Sequence, residues 1–162
     1  MEPQDLLEQH RNGLHILHEA HFVAAKHYER LGRLLGCLVV FLSATAGTAI
    51  FQSFSESPNG WLRWIATGAS LGATTLAAVQ TFLAYPALAE RHRAAAHKYG
   101  SLRRAVERML SYRNTDESAV TEVQEKWDDL DEQSPSVPSR IINRAPQRIA
   151  DRSAQIRAHR PQ

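Results

Sequence analysis

A chain of 162 residues with a single cysteine has room for one domain and a tail, and it excludes an intrachain disulfide framework. Apolar residues make up 43% of it, yet the mean hydropathy is −0.37, so the apolar residues must be concentrated and the remainder markedly polar. The net charge of +2 is small but dealt in blocks: residues 116–132 carry eight acids and one lysine, residues 134–162 six arginines and one acid. Such blocks suit surfaces that meet each other, a neighbouring subunit or a charged ligand. There is no Gly-rich phosphate loop, nucleophile motif or H-E-x-x-H, so no enzymatic activity is expected.

In chain order, residues 4–33 are amphipathic. Leu7, His10, Leu14, Leu17, His21, Ala24, Tyr28, Leu31 and Leu35 follow a 3-4 spacing that puts them on one helix face, with Gly13 a point where the helix breaks or starts. More than thirty residues, rich in polar side chains, come before the first apolar run, so no cleavable signal peptide is expected. Residues 34–55 and 64–89 then contain no charge at all, and each exceeds the roughly 20 apolar residues that cross a bilayer as a helix. Pro58-Asn59-Gly60 between them is a turn signal. The expectation is an all-α membrane protein: an antiparallel two-helix transmembrane hairpin with spans near 34–55 and 64–87, rather than the buried helices of a soluble bundle.

Pro86 should kink the end of the second span. Beyond it Leu88, His92, Ala95, Tyr99, Leu102, Val106 and Met109 form a second stripe, so the two arms should pack on each other as a stalk. The arms share the pattern A-A-(K/H)-(H/K)-Y-x-x-L-x-R, at 24–33 and 95–104. Asn114-Thr115-Asp116 offers capping chemistry for an acidic helix with Val120, Val123, Trp127 and Leu130 on its apolar edge. A Pro/Ser linker and an Arg-rich tail follow, with a short helix starting near Pro146. The division expected is 1–33, 34–89, 90–133 and 134–162.

Orientation follows from charge. Lys26, Arg30 and Arg33 precede the first span and Arg91, Arg93, Lys98, Arg103 and Arg104 follow the second, so both termini are expected in the cytosol. Phe54, Trp61 and Trp64 suit the outer interface, Tyr28 and Tyr85 the inner one.

Three constellations bear on function. In the second span Thr67, Ser70, Thr74 and Thr81 lie on one stripe, with Gln80 beside it and Thr48 doing much the same on the first span. They suit either a helix–helix contact or the wall of a pore, and a pore needs on the order of three or four copies. Gly68 and Gly72 form a small-xxx-small packing motif. The basic residues Arg30, Arg33, Arg93, Lys98, Arg103 and Arg104, with Tyr99, suit lipid headgroups or an anionic ligand whose bases stack on tyrosine. Finally, His15, His18 and His21 cluster on one helix; with no second ligand set they are expected to be exposed or stalk-facing, and neither metal nor cofactor is expected.

The topology, the segment Ala89-Glu-Arg-His-Arg-Ala-Ala-Ala-His-Lys-Tyr-Gly-Ser-Leu-Arg-Arg and the Pro-Ser-Val-Pro-Ser linker resemble the SLATT family over residues 14–139. These are two-transmembrane membrane effectors of nucleotide-activated bacterial anti-phage systems. The resemblance implies an inner-membrane homo-oligomer, a tetramer for example. It would act as an ion-permeable channel controlled by a nucleotide or oligonucleotide from a partner nucleotidyltransferase, and its action would arrest or kill infected cells. No fused nucleotide-sensing domain is expected, so control would come from the arms, the tail or a partner. The alternative is a membrane-anchored scaffold whose cytosolic helices recruit a partner.

Overall fold

The computed structural model describes residues 3–52, 60–112 and 116–158, the side chains of 49–52, 62, 152 and 155–158 excepted. Among them there is no strand. The helices are α1 (Pro3–Gln52), α2 (Gly60–Leu83), α3 (Tyr85–Ser111), α4 (Glu117–Gln133), α5 (Ser139–Ile142) and α6 (Ala145–Ala158). They divide between two compact units, one of Met1–Lys26 with Ala89–Gln162, the other of His27–Leu88. The Pro58-Asn59-Gly60 turn lies outside the described residues except for Gly60, which opens α2.

The first unit is built on the two apolar stripes and the edge of α4. Leu7 and Leu14 of α1, Ala95, Tyr99 and Val106 of α3 and Val123 of α4 are buried together, with Leu17, Leu102, Met109 and Trp127 packed around them. The buried positions recur at seven residues on α1 and α3, the period that keeps one helix face against a partner. Each large aliphatic side chain buried here contributes about 1.5–3 kcal/mol. Gly13 does not interrupt α1. It is the point where the Trp127 indole lies against the α1 backbone, too close to leave room for a Cβ. His10 meets the same indole edge-on at 5.5 Å between centroids.

Local chemistry sets the ends of α4. Asp116 is extended (φ −94°, ψ 158°), and its carboxylate accepts from the Glu117 N–H at 2.7 Å. At the other end the Ser134 N–H donates to the Asp131 carbonyl and its hydroxyl to the Leu130 carbonyl at 2.6 Å. Of the expected capping triplet, Asn114 and Thr115 lie outside the described residues.

In the second unit α1 and α2 touch in opposite chain order: Leu42 lies against Gly72, and Gln80 against Gly36. Further along α1, Tyr85 and Pro86 lie against Gly32. The seam brings these glycines close to the facing helix, and Ala46, Ala66 and Ala73 on the same two helices are buried. The helical path breaks at Ala84, which sits at φ 42°, a left-handed conformation that costs an L-residue about 1–2 kcal/mol. Pro86 accounts for the position of the break, because its ring would collide with the carbonyl four residues back in a straight helix. Starting α3 at Tyr85 puts the proline in a first turn, where no N–H is needed.

The outward faces of this unit are apolar. Trp64 is 80% exposed, Phe82 88%, Val40 69% and Leu71 68%. Pro3–Thr48 and Arg63–Ser111, the latter crossing the Ala84 break, each contain a stretch long and apolar enough to cross a membrane, and only 11% and 6% of those stretches is buried. A core helix of a soluble protein would be mostly buried.

Candidate functional site

The stripe on α2 faces outward from its own unit. Thr67, Ser70 and Thr74, with Ala66 and Leu71, line a shallow groove of ≈ 430 Å³. The hydroxyls of Thr67, Thr74 and Thr81 each donate to the carbonyl four residues back, all at 2.9 Å. On α1 the Thr48 hydroxyl donates to the carbonyl three residues back, that of Thr45, at 3.0 Å. These hydroxyls are satisfied without a partner and still offer oxygen lone pairs to whatever lies against them. The small-xxx-small motif divides: Gly72 packs on Leu42, whereas Gly68 has no atom near where its Cβ would be. Gln80 belongs to the α1–α2 seam through its contact with Gly36.

The basic residues divide as well. Arg30 and Arg33 belong to the second unit, where Arg33 lies 3.4 Å from Glu29 and stays exposed. Arg93, Lys98, Arg103 and Arg104 belong to the first. Arg93 is paired with Glu90 at 2.8 Å, while Arg103 is only 24% exposed and lies 3.5 Å from Glu107. Lys98 and Arg104 are the members of this group that extend furthest into solvent.

Tyr99 is not available to stack on a base. It is fully buried, at 0% exposure, and its hydroxyl donates to Asp131 Oδ1 at 3.0 Å. Burial pushes its pKa up to about 12, so it remains a neutral phenol. Tyr28 is half-buried and stacked with Tyr85 at 6.0 Å. Tyr99 belonged to two readings of the sequence, ligand platform and apolar stripe, and the stripe is where it sits.

Two grooves that the sequence did not disclose flank Lys98. One, of ≈ 390 Å³, is lined by Arg91, Lys98, Gln133 and Ser134. The other, of ≈ 460 Å³, runs between α3 and α4 past Ser101, Arg108, Lys126 and Asp129. Lys98 Nζ reaches toward Gln133 Oε1 at 3.4 Å between them. Both grooves exist because α4 lies along α3, which follows from Val123 and Trp127 seeking the stripes. The first offers two cations and two neutral hydrogen-bonding side chains, an arrangement suited to an anion.

The histidines face α3. His18 Nδ1 donates to the Ala96 carbonyl at 2.8 Å, with its ring close over Gly100. His21 Nδ1 meets His92 Nδ1 at 3.1 Å. His15 has its pKa lowered, by burial first and then by the Arg103 guanidinium. Among the described residues no three His, Cys, Asp or Glu side chains are placed to hold a metal ion.

No family model, curated protein or solved structure matches the chain.

Proposed function

We propose that the chain is the membrane effector of a nucleotide-controlled bacterial anti-phage system. Its α1 and α2 cross the inner membrane as a hairpin with both termini in the cytosol, and copies assemble around an axis into an ion-permeable pore. The observation that carries the reading is the apolar outer face of the second unit, where Trp64, Leu71, Phe82 and Val40 are more than two-thirds exposed. Hydrocarbon satisfies such a face; water does not. The outward Thr67, Ser70 and Thr74 would then line the axis, and Lys98, Arg104 and Arg91 would meet the phosphates of the signal. The resemblance to the SLATT family supports the same assignment. Because the Thr67, Thr74 and Thr81 hydroxyls are already satisfied within their own helix, an anchored scaffold without conduction is the second reading.

Leakage of dye and ions from liposomes holding the purified protein, with and without short oligonucleotides, separates the two. An oligonucleotide-dependent leak is expected, and Thr74→Leu should remove most of its amplitude by narrowing and drying the path. A leak unaltered by Thr74→Leu takes this stripe out of the pore, and no leak under any condition leaves the scaffold. For the ligand, Lys98→Gln with Arg104→Gln should weaken oligonucleotide binding about 30-fold, since each basic residue near an anionic surface is worth about 1 kcal/mol. Unchanged binding, measured by fluorescence anisotropy, would return these residues to the lipid headgroups.

A further inference from the structure

A titratable contact sits in the middle of the first unit and is used by none of the functions above. His21 on α1 and His92 on α3 are 2% and 1% exposed, and their Nδ1 atoms face each other at 3.1 Å. At that distance one Nδ1 carries the proton and the other accepts it, so the accepting ring is neutral, and burial, which lowers the pKa of both rings, keeps the donating ring neutral as well near pH 7. The two rings are 5.2 Å apart, and the Tyr99 ring stacks on His21 at 5.2 Å. Ala20, Ala24, Ala89, Ala95 and Ala96 are buried on the same two helices, so small apolar groups close the helices around the pair.

We infer that the His21–His92 contact is an acid-sensitive latch that holds the α1–α3 seam of the first unit closed while both rings are neutral. A second proton would leave two N–H groups pointing at each other, and even one puts a cation where water cannot reach it. At His21 burial outweighs the carboxylate that favours its charged form. On α4, Asp131 favours the protonated ring, but it is exposed and its carboxylate accepts from Tyr99. On α3 the Tyr99 hydroxyl stays neutral. On α1, Glu19 is buried two residues away, and His18 is held by the Ala96 carbonyl.

The direction of the pH effect follows. Burial, and then His92, lower the His21 pKa from 6.5 to about 4, and burial lowers that of His92. Between those values the open seam binds protons that the closed seam does not, so closure is fully supported above about pH 6.5 and lost as the pH falls toward 4. For His21 alone the opening equilibrium shifts by roughly 10²-fold over that interval.

The test uses the full chain in detergent micelles. Side-chain nitrogen NMR follows His21 and His92 from pH 7.5 to 4, and hydrogen exchange, corrected for its intrinsic pH dependence, follows peptides covering 14–26 and 92–106. Both rings should stay neutral well below pH 6. Protection of these peptides should fall at least ten-fold between pH 6.5 and 4, while the rings of the closed seam are still largely neutral, with α2 peptides unchanged. His21→Phe with His92→Leu keeps the packing without the protons and should stay protected to pH 4. His92→Gln keeps a neutral hydrogen-bonding partner for His21 and should make the loss less steep. Rings that titrate near pH 6.5 with protection unmoved would overturn the latch. So would a wild-type loss whose steepness His92→Gln leaves unchanged.

Discussion

Tyr99→Ala should unfold the first unit, or leave it so loosened that α1, α3 and α4 lose hydrogen-exchange protection together. The ring is fully buried at the meeting point of the three helices, among Leu7, Leu14, Ala95, Val106 and Val123, and stacks on His21. Removing an aromatic side chain from such a core costs about 3–5 kcal/mol, a large part of the stability of a small domain. Tyr99→Phe separates packing from polarity. It loses the hydroxyl's polar contacts with Asp131 and Ser134, of which the Asp131 carboxylate is exposed and can turn to water, so it should cost about 1 kcal/mol. If Tyr99→Ala lost oligonucleotide binding but kept full protection in α1 and α4, Tyr99 would be a ligand platform after all.

Ala73→Arg should abolish membrane accumulation. Ala73 is buried near the middle of α2, beside Gly72, whose backbone lies against Leu42. Within the proposed hairpin this places a guanidinium at the bilayer centre, at a cost of about 2.5–3.5 kcal/mol. It also forces a long side chain into a seam made for small ones. The second span is rich in alanine, glycine and threonine, so its own insertion energy is small and leaves little to offset that cost. Ala77→Leu on the exposed face of the same helix should be tolerated and should favour insertion slightly. Normal membrane levels of Ala73→Arg, read by fractionation and blotting, would argue that α2 does not cross.

Much of the helical seam could be read from the chain. The 3-4 stripes named His21 and Leu14 on one arm and His92, Tyr99 and Val106 on the other, and those side chains are buried. Periodicity sufficed because both arms are long helices, in which one face is fixed by residue number alone. The long uncharged runs were legible for a similar reason: the absence of charge over such lengths has few physical explanations.

What stayed hidden depends on contacts between distant residues. Gly13 looked like a weak point in a helix, whereas its missing Cβ makes room for Trp127 of α4. The grooves beside Lys98 depend on where α4 lies, and no spacing within α3 announces Gln133 or Ser134 as neighbours. The facing histidines are 71 residues apart. Where one stripe rises the other falls, His18 meeting Ala96 and His21 meeting His92, and neither stripe by itself sets that antiparallel register. The aromatic of the pattern that the two arms share has two fates, Tyr99 in the core and Tyr28 stacked on Tyr85, because burial is decided by the partner helix and not by the local motif.

The proposed pore requires a chain that crosses the membrane twice with its arms on the cytosolic side, and single-cysteine labelling tests that most directly. With Cys37 replaced by serine, Gly60→Cys and Ser101→Cys are expressed separately in bacterial cells, and an impermeant maleimide is applied to intact spheroplasts. Gly60→Cys should react at once, and Ser101→Cys only after permeabilisation. If both sites react only after lysis, and the chain remains in the soluble fraction, the membrane reading and the pore built on it are wrong.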